Sequence, residues 1–445
     1  MLVTFSIKNF LSFREKATFD MTAVASDDCL PGNKLFLHLS RPMPRPVELL
    51  KSAVIYGPNA SGKTNILSAF TAFRSFICDG HKKGGKTPFE AFALDPQQRL
   101  QPSEFEIVLL LDGTRYRYGI MADNIRIHEE WLFAADLSQE RFIFERTLNS
   151  DGTYSYEYGP TGKKFAAFER HDFIRKDVPL LFIGNSFNEK IAETVYLAIA
   201  NIKYPSIHYH DEFDEAAIPL LTMILQYIDI GLHNIEIKPA SLETFEYLLS
   251  ADFPGISESK VKSFKNSVRK TLPILKDRKD KFFIYRDSDG KSVPMPEDSQ
   301  SRGTIRIFDL FYMLLSEYKR GSILLLDEIE ASLHPMLCEA FFNVFHAMPD
   351  NNVQLICTTH NSVMLNEDIF RRDQVWITEK DALGGTKLYS ISDFKGTRKM
   401  ARLGKQYLEG RFGGLPILDT ALLRGLIEQL AGLNVSASTE AAENE

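Results

Sequence analysis

The stretch "GPNASGKT" at residues 57–64 decides the fold class that this sequence predicts. Its spacing, G-x-x-x-x-G-K-T, lets backbone N–H groups point at phosphate oxygens, adds a lysine charge for the β- and γ-phosphates, and offers a threonine hydroxyl to Mg²⁺. The strand-like run "SAVIY" precedes it, and "KTNILSAFTAFRSFI" follows with helical spacing of its apolar residues. The predicted nucleotide-binding residues are Gly57, Pro58, Asn59, Ala60, Ser61, Gly62, Lys63, Thr64 and Asn65.

A second chemical signal lies in "SILLLDEIEASLHP" at 322–335, an apolar strand that ends in an acidic pair. Asp327 is predicted to hold Mg²⁺ through water, together with the Thr64 hydroxyl, and Glu328 to act as general base on the attacking water. "CTTH" ends the next strand at His360, where open α/β sheets bind ligands. His360 is therefore predicted to sense the γ-phosphate, and with Lys63 and Glu328 it completes the predicted catalytic set. A structural histidine is the alternative.

A third signal is the turn in "DSQSRGTIRIFDL" at 298–310, directly before that acidic strand. Ser301, Gly303 and Thr304 open a helix, and a helix N-terminus preceded by a hydroxyl is a second anion site. One nucleotide does not need two such cradles from one chain. The turn is therefore predicted to cap the γ-phosphate of ATP held by a second copy, in an ATP-sandwiched homodimer or higher oligomer. A simple serine helix cap is the alternative.

The remaining sequence patterns divide the chain. The opening "VTFSIKNFLSF" reads as an edge strand. From 88 to about 158 the apolar residues alternate around Asp-Gly turns, which predicts an antiparallel lobe, and from 162 to 275 helical patterns dominate. Strand–helix alternation after residue 322 predicts a parallel sheet. The predicted domains are the N-terminal part of a nucleotide-binding head with the lobe (1–160), a helical insertion or lid (161–282), the C-terminal part of the head (283–434) and a disordered tail (435–445).

Composition limits the partners. The chain has 445 residues, a net charge of −7 and four cysteines without metal-ligand spacing. The charge argues against coating nucleic acid by bulk attraction, and the cysteines favour reduced thiols in a cytoplasmic protein. The sequence shows no signal peptide and no apolar run of membrane-spanning length, so no membrane partner is expected. The basic stretch 259–282 is the exception: it is a solvated helical face or a contact for nucleic-acid phosphates.

The order of these motifs, with "EASLHP" after the acidic pair, resembles the ABC-type ATPase heads of the RecF, SMC and Rad50 kind. "IKNFLSF" is similar to the strand that those heads place before their phosphate loop. The resemblance implies an α/β ABC-type P-loop NTPase head with an antiparallel β-lobe and a helical insertion. Because no heptad run is long enough, coiled-coil arms are not expected.

Four further stretches narrow the resemblance to bacterial stand-alone ATPases of the RloA and abortive-infection AbiL type, found in phage-defence loci. They are "YGPNASGKTNIL", "FALDP", "PSEFEIVLLLDGTRYRYG" and "YLEGRFGGLP". The resemblance implies Mg²⁺-dependent binding and hydrolysis of ATP, and a sensor or regulator of a Toprim-like or other nuclease or toxin encoded nearby. Two departures stand out. The signature reads Ser-Arg-Gly-Thr, and "LLFIGNSFNEK" at 180–190 has Asn185 and Asn188 where a glutamine is expected, which predicts slow turnover.

Two other functions stay open at this level. A RecF-like DNA-repair or loading ATPase would use the basic stretch, including Lys260, Lys262 and Lys265, to bind DNA. A nucleotide-binding scaffold without turnover would be consistent with the missing glutamine.

Overall fold

A computed structural model describes the structure of most of the chain. The described residues are 1–25, 27–35, 48–79, 87–136, 139–170, 174–204, 215–228, 231–239, 257–276, 279–318, 320–349, 352–394, 403–415 and 427. The predicted disordered tail at 435–445 lies outside them.

The strands alternate between two main sheets and two small ones. In chain order they are β1 (Leu2–Lys8), β2 (Ala17–Asp20), β3 (Lys34–Leu35), β4 (Leu49–Leu50), β5 (Ser52–Tyr56), β6 (Ser103–Leu111), β7 (Thr114–Ala122), β8 (Ile127–Asp136), β9 (Gln139–Leu148), β10 (Tyr154–Tyr158), β11 (Ile202–Lys203), β12 (Asn234–Pro239), β13 (Lys279–Arg286), β14 (Ser292–Pro296), β15 (Ile323–Leu326), β16 (Gln354–Thr358), β17 (Val375–Lys380) and β18 (Thr386–Ser390). The described α-helices are α1 (Lys63–Cys78), α2 (Ala166–Arg170), α3 (Leu180–Ser186), α4 (Lys190–Ala200), α5 (Ile218–Ile228), α6 (Glu258–Lys276), α7 (Arg302–Glu317), α8 (Pro335–Ala347) and α9 (Leu403–Leu408).

The central sheet has the order β11-β15-β16-β5-β17-β18 and is parallel except for β18. Every residue of β5, β15 and β16 is buried, because helices cover both faces. Successive residues enter different cores: Ile55 and Leu325 pack on the α1 side, whereas Val54 and Leu326 pack on the side of α7 and α8. The parallel sheet predicted from the strand–helix alternation is confirmed.

The second large sheet is antiparallel, with the order β10-β9-β8-β7-β6-β1-β2. At the tight turn between β6 and β7, Asp112 and Gly113 both have positive φ (46° and 81°), as a two-residue hairpin requires. The predicted antiparallel lobe is confirmed. The prediction that the opening strand lies at an edge is wrong, because β1 pairs with β2 on one side and β6 on the other.

The lobe is joined to the central sheet through a shared core. Phe5 of β1 stacks on Phe70 of α1 with ring centroids 3.9 Å apart. Gln354, buried at the start of β16, donates a hydrogen bond to the Leu2 carbonyl at 3.0 Å and accepts one from the Leu2 N–H. The lobe therefore packs on one face of α1 and on the amino end of β16.

The segment between the lobe and α7 joins both cores. Helices α3 and α4 bury Leu181 and Val195 in the core shared with the lobe, whereas α5 buries Leu221 in the core of α7 and α8. Within this segment of helical patterns β12 is a strand, because its isoleucines alternate and pair with β13. Strands β13 and β14 pair as an antiparallel hairpin, and Phe283 of β13 packs on Phe308 of α7.

Helix length limits two further properties. The longest described helix, α6, has 19 residues, so the described part of the chain contains no helix of coiled-coil-arm length. None of the described helices is both long and apolar enough to span a bilayer. The division into domains at residues 160, 282 and 434 remains a prediction.

Candidate nucleotide-binding site

The loop between β5 and α1 depends on its two glycines. Gly57 has φ 153° and Gly62 has φ 108°. A Cβ on Gly57 would lie 2.4 Å from the carbonyl oxygen of Thr378, and one on Gly62 would lie 2.2 Å from Thr386 Oγ1. Both glycines are therefore needed for backbone conformation and for space. Gly62 precedes α1 without a side-chain cap, so the positive end of this helix is left for a ligand.

The Lys63 ammonium lies inside the loop. Its Nζ donates to the carbonyl oxygens of Gly57 at 2.7 Å and Pro58 at 2.9 Å. Burial lowers the pKa of Lys63 to about 8, and the nearby Asp327 and Glu328 only partly oppose this. A lysine held by two carbonyls and short of compensating negative charge suits an anion that enters the loop.

Thr64 joins the loop to the acidic strand. Its Oγ1 donates to Asp327 Oδ2 at 2.9 Å. The other carboxylate oxygen of Asp327 accepts from the Thr358 hydroxyl, which in turn accepts from the Glu328 N–H at 2.9 Å. The Asp327 carboxylate is thus oriented from β16 on one side and from α1 on the other.

The donor set of Thr64 and Asp327 fits Mg²⁺. Hydroxyl and carboxylate oxygens are hard ligands, and Mg²⁺ in nucleotide sites takes few protein ligands and completes its shell with phosphates and water. In the described part of the chain no group of three or more His, Cys, Asp or Glu side chains could hold a metal. The described residues therefore contain no metal site built from protein ligands alone. They are consistent with a Mg²⁺ site whose remaining ligands are phosphate oxygens and water.

Glu328 and His360 lie side by side at the carboxyl edge of the sheet. Glu328 has φ 46°, an unusual conformation for a non-glycine residue, and its side chain is 60% exposed. His360 Nε2 is 3.7 Å from Glu328 Oε1, and the His360 N–H donates to Glu330 Oε1 at 2.6 Å. The structure therefore brings together an accessible carboxylate and an imidazole, next to the carboxylate of Asp327.

Arg306 is a site-adjacent residue that sequence reasoning missed. Its Nη2 lies 3.3 Å from the carbonyl oxygens of both Asp327 and Glu328. Its Nε is buried and has no hydrogen-bond partner among the described residues. Arg306 thus joins helix α7 to the turn that carries the acidic pair. The sequence pattern treats position 306 as an ordinary helical arginine.

The Ser301 turn caps its own helix. Ser301 Oγ accepts from the Thr304 N–H at 3.0 Å and lies 2.9 Å from Thr304 Oγ1. Ser301 is exposed, whereas a Cβ added to Gly303 would come within 3.0 Å of the Ser332 carbonyl. The structure places this turn against the residues that follow the acidic strand in the same chain. The serine cap that the sequence left as an alternative is present, and a contact with a second copy remains a proposal.

Three hydroxyl residues that are distant in sequence brace the loop through hydrogen bonds. Ser61 Oγ is 2.6 Å from Thr378 Oγ1, and the Ser61 carbonyl is 2.8 Å from Thr386 Oγ1. Ser12 Oγ accepts from Asn65 Nδ2 at 2.6 Å and lies 2.8 Å from Thr386 Oγ1. Ser12, Thr378 and Thr386 come from segments far from the loop in sequence, so no local motif signals them.

The remaining predicted residues fall where the loop is open or away from it. Asn59 and Ala60 are exposed at the tip of the loop, and Ala60 has φ 62°. Asn185 and Asn188, which stand where the resemblance places a glutamine, lie in α3 and in the turn after it, and α3 packs on the lobe.

A phosphate loop after a buried parallel strand, joined by Thr64 to the acidic end of a second parallel strand, defines a P-loop NTPase. The chain belongs to the family described as "AAA domain, putative AbiEii toxin, Type IV TA system", whose profile matches residues 52–366. The resemblance inferred from the sequence is confirmed at the level of this family, as is the α/β P-loop fold class with its antiparallel lobe.

Two solved structures are similar in overall arrangement. One is the SMC head bound to the C-winged helix domain of ScpA, 13% identical, covering 87% of this chain and 97% of that chain with a TM-score of 0.41. The other is the SMC head domain from Thermotoga maritima, also 13% identical, covering 87% and 98% with a TM-score of 0.37. No curated protein matches the sequence.

Proposed function

We propose that the protein binds ATP with Mg²⁺ and hydrolyses it. The observation that carries this proposal is the 2.9 Å hydrogen bond from Thr64 Oγ1 to Asp327 Oδ2, which joins the phosphate loop to the acidic strand. Membership of a P-loop family supports nucleotide binding. The exposed Glu328 carboxylate beside that contact supports hydrolysis, because a general base has to reach water.

The chain's own residues then divide the chemistry. Lys63 moves its ammonium hydrogen bonds from loop carbonyls to the β- and γ-phosphate oxygens. Thr64, and Asp327 through water, would hold Mg²⁺, which would neutralise charge on those phosphates. Glu328 accepts a proton from the attacking water, and His360 donates a hydrogen bond to the γ-phosphate.

Substitutions at Lys63 and Glu328 test ATP binding and ATP hydrolysis separately. Lys63→Ala removes the cation of the loop, and we expect loss of ATP binding measured by calorimetry. Glu328→Gln keeps the shape and removes the base, so ATP binding should persist while phosphate release falls on the order of a hundredfold or more. Binding of ATP by wild type without phosphate release would favour the nucleotide-binding scaffold instead.

The proposal extends to an ATP-bridged dimer. Support comes from the exposure of Ser301 and Arg302 at the start of α7, and from the exposed tip of the phosphate loop at Asn59 and Ala60. A triphosphate in one copy can meet the α7 N-terminus of the other only if both surfaces are open. Binding would then shift monomers toward dimers, and hydrolysis would release them.

Sizing of the Glu328→Gln protein tests this assembly. We expect its mass to double with ATP and Mg²⁺ and to stay that of a monomer without them. The double variant Lys63→Ala with Glu328→Gln is the matched control, because it lacks the cation that holds ATP. An unchanged mass at saturating ATP would contradict the bridged dimer while leaving ATP binding intact.

The biological role proposed is regulation of a toxin or nuclease in defence against phage. The family description reads "putative AbiEii toxin, Type IV TA system", which supports a defence setting. Affinity purification of the Glu328→Gln protein from its own host tests for the effector. Recovery of a nuclease or toxin that the Lys63→Ala protein does not retain is the expected result. Growth arrest on expression of this chain alone would instead make the chain itself the toxin.

A DNA-dependent ATPase is the second candidate. Lys260 and Lys262 are exposed on α6, a helix whose first turn is followed by several basic residues. Such a face can neutralise phosphates. If this function holds, DNA stimulates phosphate release, and a Lys260, Lys262 and Lys265 triple change to Gln removes the stimulation without altering the basal rate.

A further inference from the structure

Strand β10 ends the seven-stranded antiparallel sheet, and no strand among the described residues pairs with its outer side. At the opposite end of that sheet, Phe19 of β2 packs on Trp376 of the central sheet, with ring centroids 4.9 Å apart. The two ends of the sheet therefore differ. One packs on the rest of the protein, whereas the other presents an open row of backbone donors and acceptors.

The hydrogen bonds between β10 and β9 fix which backbone groups of β10 point outward. The Gly159 N–H donates to the Ile143 carbonyl at 2.9 Å, and the Thr153 carbonyl accepts from the Asn149 N–H at 2.8 Å. Because bonding partners alternate along an antiparallel strand, the odd-numbered residues of β10 face β9 and the even-numbered residues face outward. The outward backbone groups belong to Tyr154, Tyr156 and Tyr158.

The side chains of these three tyrosines order the open edge. Their rings form a ladder, with successive centroids 6.3 Å and 6.5 Å apart. The ladder is fixed at both ends, because the Tyr154 hydroxyl donates to the Ile127 carbonyl at 2.7 Å and the Tyr158 hydroxyl donates to Glu169 Oε2 at 3.2 Å. The edge is thus ordered before it meets a partner, which lowers the entropic cost of pairing.

The sequence of β10, "YSYEY", lacks the features that protect open sheet edges. It contains no proline and no lysine, and its register with β9 runs without a bulge. Ser155 and Glu157 are exposed. Since Glu157 carries the one charge of the strand, its position decides which partner strand and which register fit.

We propose that β10 pairs antiparallel with β10 of a second copy, with Tyr156 opposite Tyr156, in a dimer that does not need nucleotide. This register pairs every residue of the strand and forms about six backbone hydrogen bonds through the three tyrosines. It also places Glu157 opposite the uncharged Ser155. The pair has two-fold symmetry, as most homodimers do.

The neighbouring registers fit less well. Outward-facing residues have to pair with each other, which restricts the choice. With Glu157 opposite Glu157 of the second copy, like charges meet. With Ser155 opposite Ser155, Tyr158 meets Gly152 in the turn before the strand, where φ is 86°. A strand of this same sequence therefore fits the edge in one register, and this fit favours a second copy as the partner.

The test measures self-association by sedimentation without nucleotide, in the Lys63→Ala background so that ATP cannot bridge two copies. Concentrations extend to about 1 mM, because interfaces below about 1,200 Å² are weak. Ser155→Lys puts opposite charges across both Ser155–Glu157 pairs and should lower the dimer dissociation constant on the order of fivefold, whereas Ser155→Glu should raise it by a similar factor. Gln139→Lys and Gln139→Glu are the matched controls and should match the parent, because Gln139 is exposed on β9 beyond the residues that pair with β10.

A second pair of variants tests the backbone. Tyr156→Pro removes the central outward N–H, and proline is tolerated at a sheet edge where that N–H faces solvent. Tyr156→Ala removes the same ring and keeps the N–H. We expect Tyr156→Pro to weaken the dimer more than Tyr156→Ala. Thermal melting checks that both variants are folded, and the Ser155 variants decide if Tyr156→Pro is not.

Two results overturn the proposal. A parent protein that stays monomeric at every concentration leaves the edge to a strand of a different protein. A dimer whose dissociation constant is the same in Ser155→Lys and Ser155→Glu forms through another surface. Because these measurements use no ATP, failure of the proposed ATP binding or of the ATP-bridged dimer leaves their outcome unchanged.

Discussion

The loop at 57–64 and the turn at 301–304 both precede 16-residue helices, and the structure holds them by different means. Helix α1 begins after Gly62 with no side-chain cap, whereas α7 begins after Ser301, whose hydroxyl accepts from the Thr304 N–H. The first loop takes its shape from distant hydroxyl residues and leaves its helix end to a ligand. In the second turn, the Ser301 hydroxyl already accepts a hydrogen bond from an N-terminal N–H group of its own helix. Two helix N-termini with similar sequence signals can therefore differ in the number of backbone N–H groups that are free to bind an anion.

Among the changes that test this difference between the two helix N-termini, Gly62→Ala should have the largest effect. A Cβ at this position would lie 2.2 Å from Thr386 Oγ1 and 2.9 Å from Ser12 Oγ, and φ is 108°. We expect ATP affinity to fall on the order of a hundredfold or more, since strain of about 1–3 kcal/mol adds to the displacement of the braces. Calorimetric titration with ATP measures the loss.

Gly152→Ala is the matched control for Gly62→Ala. Gly152 also has positive φ, 86°, but nothing lies within 4 Å of its added Cβ. It should cost about 1 kcal/mol of stability and leave ATP affinity unchanged. Equal ATP affinities for the Gly62→Ala and wild-type proteins would show that the loop is less dependent on its glycine than the structure indicates.

The pH dependence of ATP binding tests the charge in the loop. Burial lowers the pKa of Lys63 to about 8. Because triphosphate binding favours the protonated lysine, affinity should be steady below pH 8 and fall by up to tenfold per pH unit above it. Lys63→Arg stays charged and should lose this slope, whatever its affinity. The same slope in Lys63→Arg would assign the titration to another group.

Removal of one brace should have an intermediate effect. Thr378→Val leaves the buried Ser61 hydroxyl without its partner at 2.6 Å, and keeps the side-chain shape. We expect a loss of about 1–3 kcal/mol, divided between thermal stability and ATP affinity. Thr71→Val on α1 is the control, because among the described residues the Thr71 hydroxyl bonds to its own helix at the Leu67 carbonyl. If the two variants bind ATP equally well, the distant hydroxyls do not shape the loop.

The smallest expected effect comes from substitutions at Ser301, which test whether this residue is only a helix cap. As a helix cap, Ser301→Ala should cost about 1 kcal/mol and Ser301→Gly only a few tenths. Thermal unfolding measures this order. If the serine also meets ATP in a second copy, both variants lose ATP-dependent dimer by sizing in the Glu328→Gln background, regardless of stability. If the loss of ATP-dependent dimer in the two variants only parallels their loss of stability, Ser301 acts only as a helix cap.

Local patterns predicted much of the candidate site. The glycine spacing at 57–64, the acidic pair after β15 and His360 after β16 all depend on residues within one strand and its following turn. Parallel strands place their carboxyl ends at one edge, so the convergence of these three segments was predictable. The antiparallel lobe was predictable because period-two alternation and Asp112–Gly113 are local signals.

Other features needed the pairing of distant segments. The opening strand looks like an edge because its own alternation says nothing about its neighbours, yet β6 covers its second side. Arg306 reaches the carbonyls of Asp327 and Glu328 only because α7 packs beside β15. The braces Thr378 and Thr386 act through the order of strands in the sheet, which places β17 next to β5.

By itself the sequence predicted which residues are suited to bind phosphate, magnesium and water, because that chemistry resides in side-chain type and in spacings of a few residues. It also determined the alternation that makes one sheet parallel and the other antiparallel. The tertiary structure decided how these parts are held: Thr64 meets Asp327, and Thr378 and Thr386 contact the phosphate loop at Ser61. Contacts between residues hundreds of positions apart depend on strand order and helix packing, which no short pattern encodes.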